Sequence, residues 1–282
     1  MIQERVDLYK YFSLKRKKNS LGYLNTYVPD GTLELNVKQR PAMLVCPGGG
    51  YGFLSDREKE PVAIRFLSKG YSAFTLEYSL NTPFPVPLIE ACMAVVYIRE
   101  NAPKYFVDPN HVCAVGFSAG GHLVGMLATM TGDDAVKKAF PSDKLELVKP
   151  DAVILSYAVI TSDSRYGHLG SFNVITGGKK TLYQKLSLEK RVTNESVPAF
   201  MWHTKEDGAV PVYNALCMAS AYYEHGVPFE LHVFERGAHG LSLSNIETSL
   251  SENDKKCNKN VQAWVDLADN WLRSRGFKVH AK

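Results

Sequence analysis

The segment at residues 111–121 reads HVCAVGFSAGG, and it predicts a buried strand that turns sharply into a helix. Its first part is mostly apolar, as expected of a strand buried on both faces of a parallel sheet. Its second part fits the pattern G-x-S-x-G around Ser118, which is typical of a strained turn that presents a serine oxygen above the sheet. Small residues at Gly116 and Gly120 let strand and helix approach each other. The amide N–H of Ala119 then lies at the helix start, where it can bind an oxyanion.

Other apolar runs alternate with helical patterns along the chain, which predicts an α/β fold. We expect a mostly parallel central sheet with helices on both faces. The further strands are predicted at Ala42–Cys46, Ser72–Tyr78, Asp151–Tyr157, Val197–His203 and Phe229–Phe234, and the helices at about residues 57–69, 86–102, 119–131, 211–225 and 258–274. Residues 6–12 and 22–28 could add an antiparallel hairpin at the sheet edge.

Two later loops supply the partners that a nucleophilic serine needs. The general base should be a histidine after a late strand, and His239 stands in RGAHG just past the last predicted strand. The acid that orients the imidazole should follow the preceding strand, where Asp207 stands in HTKEDGAVP and Glu206 is its rival. The order Ser118, Asp207, His239 is that of α/β-hydrolases and differs from the order in other serine-hydrolase folds. These three residues are therefore predicted as a catalytic triad.

The loop at residues 47–51 reads PGGGY and directly follows the strand Ala42–Cys46. Consecutive glycines leave the backbone N–H groups unobstructed, which suits oxyanion binding. The loop has neither G-K-[ST] nor G-x-G-x-x-G spacing, so it is not a phosphate loop. We predict an oxyanion hole formed by the N–H groups of Gly49, Gly50 and Ala119, with a merely flexible turn as the alternative for this loop.

Composition excludes several classes of function. The net charge of +4 is too small and too scattered to favour nucleic acid, and the basic run at residues 15–18 is predicted as a solvated turn. The longest uninterrupted apolar stretch, residues 91–98, is far below the ~18 residues of a membrane span. The N-terminus lacks the apolar core of a signal peptide. The five cysteines contain no C-x-x-C pair, so we expect reduced thiols in a cytoplasmic protein.

With these motifs in place, the chain resembles α/β-hydrolase esterases of the acetylxylan-esterase and lipase-like group, which are related to the hormone-sensitive-lipase branch. The resemblance spans about residues 40–275 and rests on the segments 47–51, 116–123, 203–211 and 237–240. It implies hydrolysis of short acyl esters, acetyl above all, on a small alcohol such as a sugar, without metal or organic cofactor. The chain departs from the hormone-sensitive-lipase branch at Pro47, where that branch has histidine. This departure favours a resemblance to the sugar esterases of the group.

Several alternatives stay open for substrate and partners. An aminopeptidase- or arylformamidase-like amide hydrolase would use the same triad, and a noncatalytic binding protein could keep the same fold. The aromatic rings of Tyr51, Tyr166 and Phe172 either stack on a sugar or pack locally. His168 could line the substrate pocket. A small-molecule ester is the expected partner, neither nucleic acid nor a membrane is expected, and a homodimer is compatible with the sequence.

The predicted site also bears on domain organisation. The oxyanion loop, Ser118 and His239 would all serve one site, so dividing the chain would separate the triad. We therefore predict a single domain over residues 1–282, with an insertion at about 158–190. That insertion is either a lid or substrate loop or a mobile surface connection.

Overall fold

An eight-stranded sheet forms the centre of the protein, in a computed structural model that describes residues 1–16, 20–32, 34–249 and 257–282. The strands are β1 (Arg5–Asp7), β2 (Tyr23–Tyr27), β3 (Arg40–Cys46), β4 (Ser72–Glu77), β5 (Val107–Phe117), β6 (Ala152–Ser156), β7 (Ala199–Thr204) and β8 (Phe229–Phe234). Their spatial order is β1-β2-β4-β3-β5-β6-β7-β8. Strand β2 pairs antiparallel with β1 and β4, and every other pair is parallel. The prediction of a mostly parallel sheet is confirmed.

Helices cover both faces of this sheet. They are α1 (Leu8–Tyr11), α2 (Glu60–Ser68), α3 (Val86–Glu100), α4 (Ala119–Thr129), α5 (Asp134–Ala139), α6 (Leu169–Thr176), α7 (Tyr213–Glu224), α8 (Lys259–Gln262) and α9 (Trp264–Ser274). Side chains alternate along β3, so Ala42 and Leu44 join the core with α3, α4 and α7, while Met43 and Val45 join the core with α2 and α9. Apolar layers therefore cover both faces of the sheet, which is why its central strands are almost wholly apolar.

The predicted elements differ from the observed ones mainly at the chain ends. The last predicted helix is interrupted at Ala263, between α8 and α9. Residues 8–11, expected in an edge strand, form a short helix because the Asp7 carboxylate accepts a hydrogen bond from the Lys10 N–H and caps it. Helix α5 has no counterpart among the predictions. Lys17 and Lys18 of the predicted basic turn lie outside the described residues.

The segment 158–190 is packed against the rest of the fold. It contains α6 and two 3-10 turns, Lys180–Leu182 and Leu188–Lys190. The Asn214 side chain accepts from the N–H of Ile160 and Thr161 at 2.9 and 3.1 Å. Leu186 and Leu188 are fully buried in the core. These contacts fix both ends of the segment; a lid function and the single-domain division stay predictions.

Two predictions from the sequence concern membrane-spanning helices and the state of the cysteines. No helix in the described ranges combines the length and apolar character needed to cross a bilayer. All five cysteines are free thiols; Cys46, Cys92 and Cys113 are buried, whereas Cys217 and Cys257 are partly accessible.

The turn between β5 and α4 depends on close approach of backbone segments. Ser118 has φ 52° and ψ −117°, a conformation that strains any residue with a Cβ. A Cβ on Gly116 would lie 2.2 Å from the Gly120 carbonyl oxygen, and a Cβ on Gly120 would lie 2.2 Å from the Cys46 carbonyl oxygen. Glycine is required at both positions, because β3, β5 and α4 could not otherwise meet.

We expect Gly120→Ala to lower the free energy of unfolding by at least about 1–3 kcal/mol, since the new methyl group must push α4 away from the end of β3. Denaturant unfolding measures this change. Gly132→Ala is the matched control, because an added Cβ there has no neighbour within 4 Å in the described part of the chain. Its free energy of unfolding should stay within about 0.5 kcal/mol of wild type. Equal losses in the two variants would show that the close approach does not constrain the turn.

Candidate active site

The three residues predicted as a triad meet at the carboxyl edge of the sheet. Ser118 follows β5, Asp207 follows β7 and His239 follows β8, and parallel strands bring these ends together. His239 Nε2 lies 2.8 Å from Ser118 Oγ, and His239 Nδ1 lies 2.7 Å from Asp207 Oδ2. Only an imidazole with its hydrogen on Nδ1 can accept from the serine hydroxyl and donate to the carboxylate. The arrangement can therefore deprotonate Ser118.

The Asp207 carboxylate is held from several sides. Its Oδ1 accepts from the N–H of Ala209 at 3.0 Å and of Val210 at 2.9 Å. The ring Nε2 of His203, which is 2.8 Å from the Val210 carbonyl oxygen, lies 3.3 Å from Asp207 Oδ2. Burial acts to raise the pKa of Asp207, but hydrogen bonds from His203, His239 and Val210 outweigh it and hold that pKa well below its usual range. Asp207 is therefore a fixed negative charge behind the imidazole.

Glu206, the alternative acid, does not reach the imidazole. Its side chain is exposed, and its Oε2 accepts from the Gly237 N–H at 3.2 Å. That bond attaches Glu206 to the outside of the histidine loop, so the adjacent residue, Asp207, faces His239.

The predicted oxyanion donors lie in the loop beside the nucleophile and at the start of α4. A Cβ built on Gly48 would come within 3.0 Å of Ser118 Cβ, so the loop adjoins the serine. Within the described part of the chain, the N–H groups of Gly49, Gly50 and Ala119 donate to no acceptor. They are therefore available to a ligand atom; the oxyanion hole stays a prediction.

Two of the predicted pocket residues are buried in the core. Tyr51 is fully buried, and its hydroxyl donates to His122 Nδ1 at 2.8 Å. Phe172 is also fully buried and packs its ring at 5.2 Å from that of His122. Because neither ring has an accessible face, the stacking role considered for Tyr51 and Phe172 is corrected to local packing.

The other two predicted pocket residues remain partly accessible. Tyr166 packs its ring 4.2 Å from that of Tyr213. His168 Nδ1 accepts from the Ser171 N–H at 3.2 Å, capping α6, and a Cβ on Gly50 would lie 3.9 Å from Ser171 Oγ. Burial, and after it the nearby His239, lowers the pKa of His168, which favours a neutral imidazole. His168 is therefore linked to the oxyanion loop through Ser171, and its ring is neutral.

Sequence reasoning missed a buried carboxylate beneath the oxyanion loop. Glu58 is only 3% exposed; its Oε2 accepts from the Gly48 N–H at 2.8 Å and its Oε1 from the Tyr157 hydroxyl at 2.6 Å. The Tyr157 oxygen accepts in turn from the Ser242 N–H at 2.8 Å, and its ring meets the edge of His239 at 5.1 Å. Glu58 lies in DREKE, which looks like any solvated charge run, so no signal in the sequence singled it out. The oxyanion loop and the histidine loop are thus joined by one chain of hydrogen bonds.

Three known proteins illustrate what the chain is similar to. It is 41% identical over 216 residues to endo-1,4-beta-xylanase B of Butyrivibrio fibrisolvens, covering 74% of this chain and 34% of that protein. It is 31% identical over 243 residues to the acetylxylan esterase of Xylanibacter ruminicola, covering 83% of this chain and 45% of that protein. The crystal structure of an acetyl ester-xyloside bifunctional hydrolase from Caldicellulosiruptor lactoaceticus matches with a TM-score of 0.77 and 36% identity, covering 91% of this chain and 89% of that one. The chain spans less than half the length of the two curated relatives.

The fold and the position of Ser118 define the class of protein. A mostly parallel eight-stranded sheet in this order, with a serine on the strained turn after β5, is the α/β-hydrolase fold. The family model described as BD-FAE matches residues 27–222. The chain belongs to the BD-FAE family and has the α/β-hydrolase fold.

We expect Glu58→Gln to lower kcat about tenfold with little change in KM, because an amide cannot accept from both Gly48 and Tyr157, and an unpaired buried donor costs about 1–3 kcal/mol. Steady-state hydrolysis of p-nitrophenyl acetate measures both constants. Glu60→Gln, an exposed change two residues further on, is the control and should match wild type. A kcat for Glu58→Gln equal to that of the control would mean that the link between the loops does not position the site.

A second prediction concerns the fully buried His122, whose Nδ1 accepts from Tyr51 and whose Nε2 lies 2.8 Å from the Leu186 carbonyl oxygen. Burial lowers the pKa of His122 from its ordinary 6.5 to about 4. Between these values the unfolded chain binds a proton that the folded chain does not, so stability falls as the pH falls. We expect the stability advantage of wild type over His122→Gln to shrink by about 3 kcal/mol from pH 7 to pH 4. Parallel pH profiles of the two unfolding free energies would contradict this.

Proposed function

We propose that this chain hydrolyses carboxylic esters of short acyl groups, acetyl above all, carried on a sugar or another small alcohol. The observation that carries the proposal is the unbroken hydrogen-bond chain from Ser118 Oγ to His239 at 2.8 Å and from His239 to Asp207 at 2.7 Å. That geometry activates a serine for attack on an acyl carbon. The acetyl and sugar parts of the proposal are supported by the names of two similar proteins, an acetylxylan esterase and an acetyl ester-xyloside hydrolase.

In the proposed reaction, His239 Nε2 accepts the hydroxyl proton of Ser118 while Oγ attacks the ester carbonyl carbon. Asp207 fixes the ring with its hydrogen on Nδ1 and stabilises the imidazolium that forms. The imidazolium then protonates the leaving alcohol, and the acyl group remains on Ser118. Water, deprotonated by His239, attacks the acyl carbon; the bond between that carbon and Ser118 Oγ breaks, the carboxylic acid leaves, and the imidazolium returns the proton to Oγ.

The negative charge on the carbonyl oxygen would be met by the N–H groups of Gly49, Gly50 and Ala119. These donors have no competing acceptor in the described ranges, so no bond must break before they bind the oxyanion. One donor of this kind typically contributes about 3 kcal/mol to transition-state stabilisation. A partly accessible, neutral His168 beside the loop is suited to donate to an oxygen of the substrate.

Ser118→Ala should reduce the kcat/KM for p-nitrophenyl acetate by more than about a thousandfold, because no other group supplies the nucleophile. Asp207→Asn should give a loss of similar size through the wrong imidazole tautomer. Ser68→Ala, on the exposed end of α2, is the control and should retain full activity. Hydrolysis by Ser118→Ala at the rate of the control would contradict the proposed triad.

A substrate panel tests the acyl and alcohol preference separately. We expect rates to fall from acetyl to butyryl to octanoyl esters, and acetylated xylo-oligosaccharides to be better substrates than aminoacyl amides. Faster cleavage of amides would favour the amide-hydrolase alternative, and no turnover of any substrate would favour a binding protein. A cytoplasmic location and a homodimer stay predictions of the sequence.

A further inference from the structure

Three potential metal ligands cluster at the end of the sheet opposite the triad. Asp108 and His111 lie near the start of β5, and His280 lies near the C-terminus. Their ligand atoms all lie within 4.8 Å of one another. Asp108 Oδ2 is 2.8 Å from His111 Nδ1 and 3.2 Å from His280 Nε2. At about 3.3 Å per strand residue, the cluster is roughly 25 Å from Ser118, so it is separate from the esterase site.

Among the residues that the structure describes, the ring Nε2 of His280 has no hydrogen-bond partner. The atom is buried, and although Asp108 Oδ2 is 3.2 Å away, the ring N–H does not point at it closely enough to donate. A buried polar nitrogen without a partner costs free energy and calls for an explanation. A cation lying off the line between the two atoms would bind both, because a metal ion need not lie between its ligands as a hydrogen does.

The two ligands from β5 are held in place before any ion binds. Asp108 Oδ1 accepts from the Asn110 N–H at 2.9 Å, which directs Oδ2 toward the histidines. The ring of His111 packs on the ring of Phe277 at 5.1 Å. A Cβ on Gly276 would lie 2.8 Å from His111 Nε2, so the glycine lets the C-terminal segment pass close to this ring.

The third ligand is fixed by its backbone. The N–H of His280 donates to the Gln39 carbonyl oxygen at 2.8 Å, and the His280 carbonyl oxygen accepts from the Lys38 N–H at 2.7 Å. These bonds attach the C-terminal segment beside the start of β3. The cluster therefore joins two parts of the chain that are about 170 residues apart on supports that are already ordered.

We propose that Asp108, His111 and His280 bind one zinc ion that ties the C-terminal segment to the sheet. Two imidazoles and one carboxylate are a donor set that zinc favours, whereas calcium and magnesium favour oxygen ligands. Ligand atoms about 2.1 Å from a tetrahedral ion lie about 3.4 Å apart. The 3.2 Å separation matches this value, and the 2.8 Å separation must open by about 0.6 Å. Water would supply the fourth ligand.

Equilibrium dialysis against zinc, followed by metal analysis of the intact chain, tests the site. Wild type should bind one zinc per chain, and His280→Ala and His111→Ala should each weaken that binding at least about tenfold. His232→Ala removes another partly exposed histidine beside a carboxylate, Glu230, and His239→Ala removes the triad histidine. Both controls should bind zinc as wild type does. Zinc should also raise the Tm of wild type and leave that of His280→Ala unchanged.

Two results would overturn the proposal. One is a wild-type chain that binds no zinc, which would mean that Asp108 and the two histidines form only a hydrogen-bonded cluster. The other is zinc binding that survives in His280→Ala but disappears in His239→Ala, which would locate the ion in the esterase site. Ester hydrolysis by His280→Ala at the wild-type rate in the absence of zinc verifies that this variant is folded.

Discussion

The strained backbone of Ser118 is the constraint on which the rest of the site depends. Hydrogen bonds to the surrounding backbone stabilise its φ of 52°. The Ser118 N–H donates to the Ser156 carbonyl oxygen at 3.1 Å, and the Ser118 carbonyl oxygen accepts from the N–H groups of Val159 and His122, each at 3.1 Å. These bonds come from β6, the segment that follows it and α4, so the strain is offset by the packing around the sheet. The serine oxygen is thereby presented at the sheet edge, where the loops after β7 and β8 can reach it.

The electrostatics of the site follow from the same geometry. Asp207 is buried, and a buried carboxylate alone would tend to take up a proton. Hydrogen bonds from the rings of His203 and His239 and from the Val210 N–H reverse that tendency, because the turn after β7 brings the Asp207 carboxylate close to all three. Asp207 therefore presents a fixed negative charge to the imidazole of His239. The contrast between a strained serine and a buried, hydrogen-bonded carboxylate therefore follows from the turns after β5 and β7.

The sequence predicted most of the fold because its signals are local. Apolar runs indicated the central strands, and the loops after two late strands indicated Asp207, with Glu206 as its rival, and His239 as the partners of Ser118. Residue type could not predict which way an aromatic ring faces: Tyr51 follows the glycines of the oxyanion loop, yet a hydrogen bond to the distant His122 holds it in the core. Nor could it separate buried Glu58 from its exposed neighbours in DREKE, since burial there is decided by Gly48 and Tyr157, 10 and 99 residues away.

Buried polar groups connect the oxyanion loop with the loop that carries His239. An apolar residue in place of Glu58 would leave the Gly48 N–H and the Tyr157 hydroxyl unpaired, each at a cost comparable to a lost hydrogen bond. The carboxylate joins the oxyanion loop to Ser242, three residues beyond His239, through the Tyr157 hydroxyl. A shift of either loop must then stretch bonds of 2.6–2.8 Å in the interior. The loop at residues 47–51 and the loop that carries His239 are therefore constrained to move together, which holds His239 in a fixed position relative to the predicted oxyanion donors.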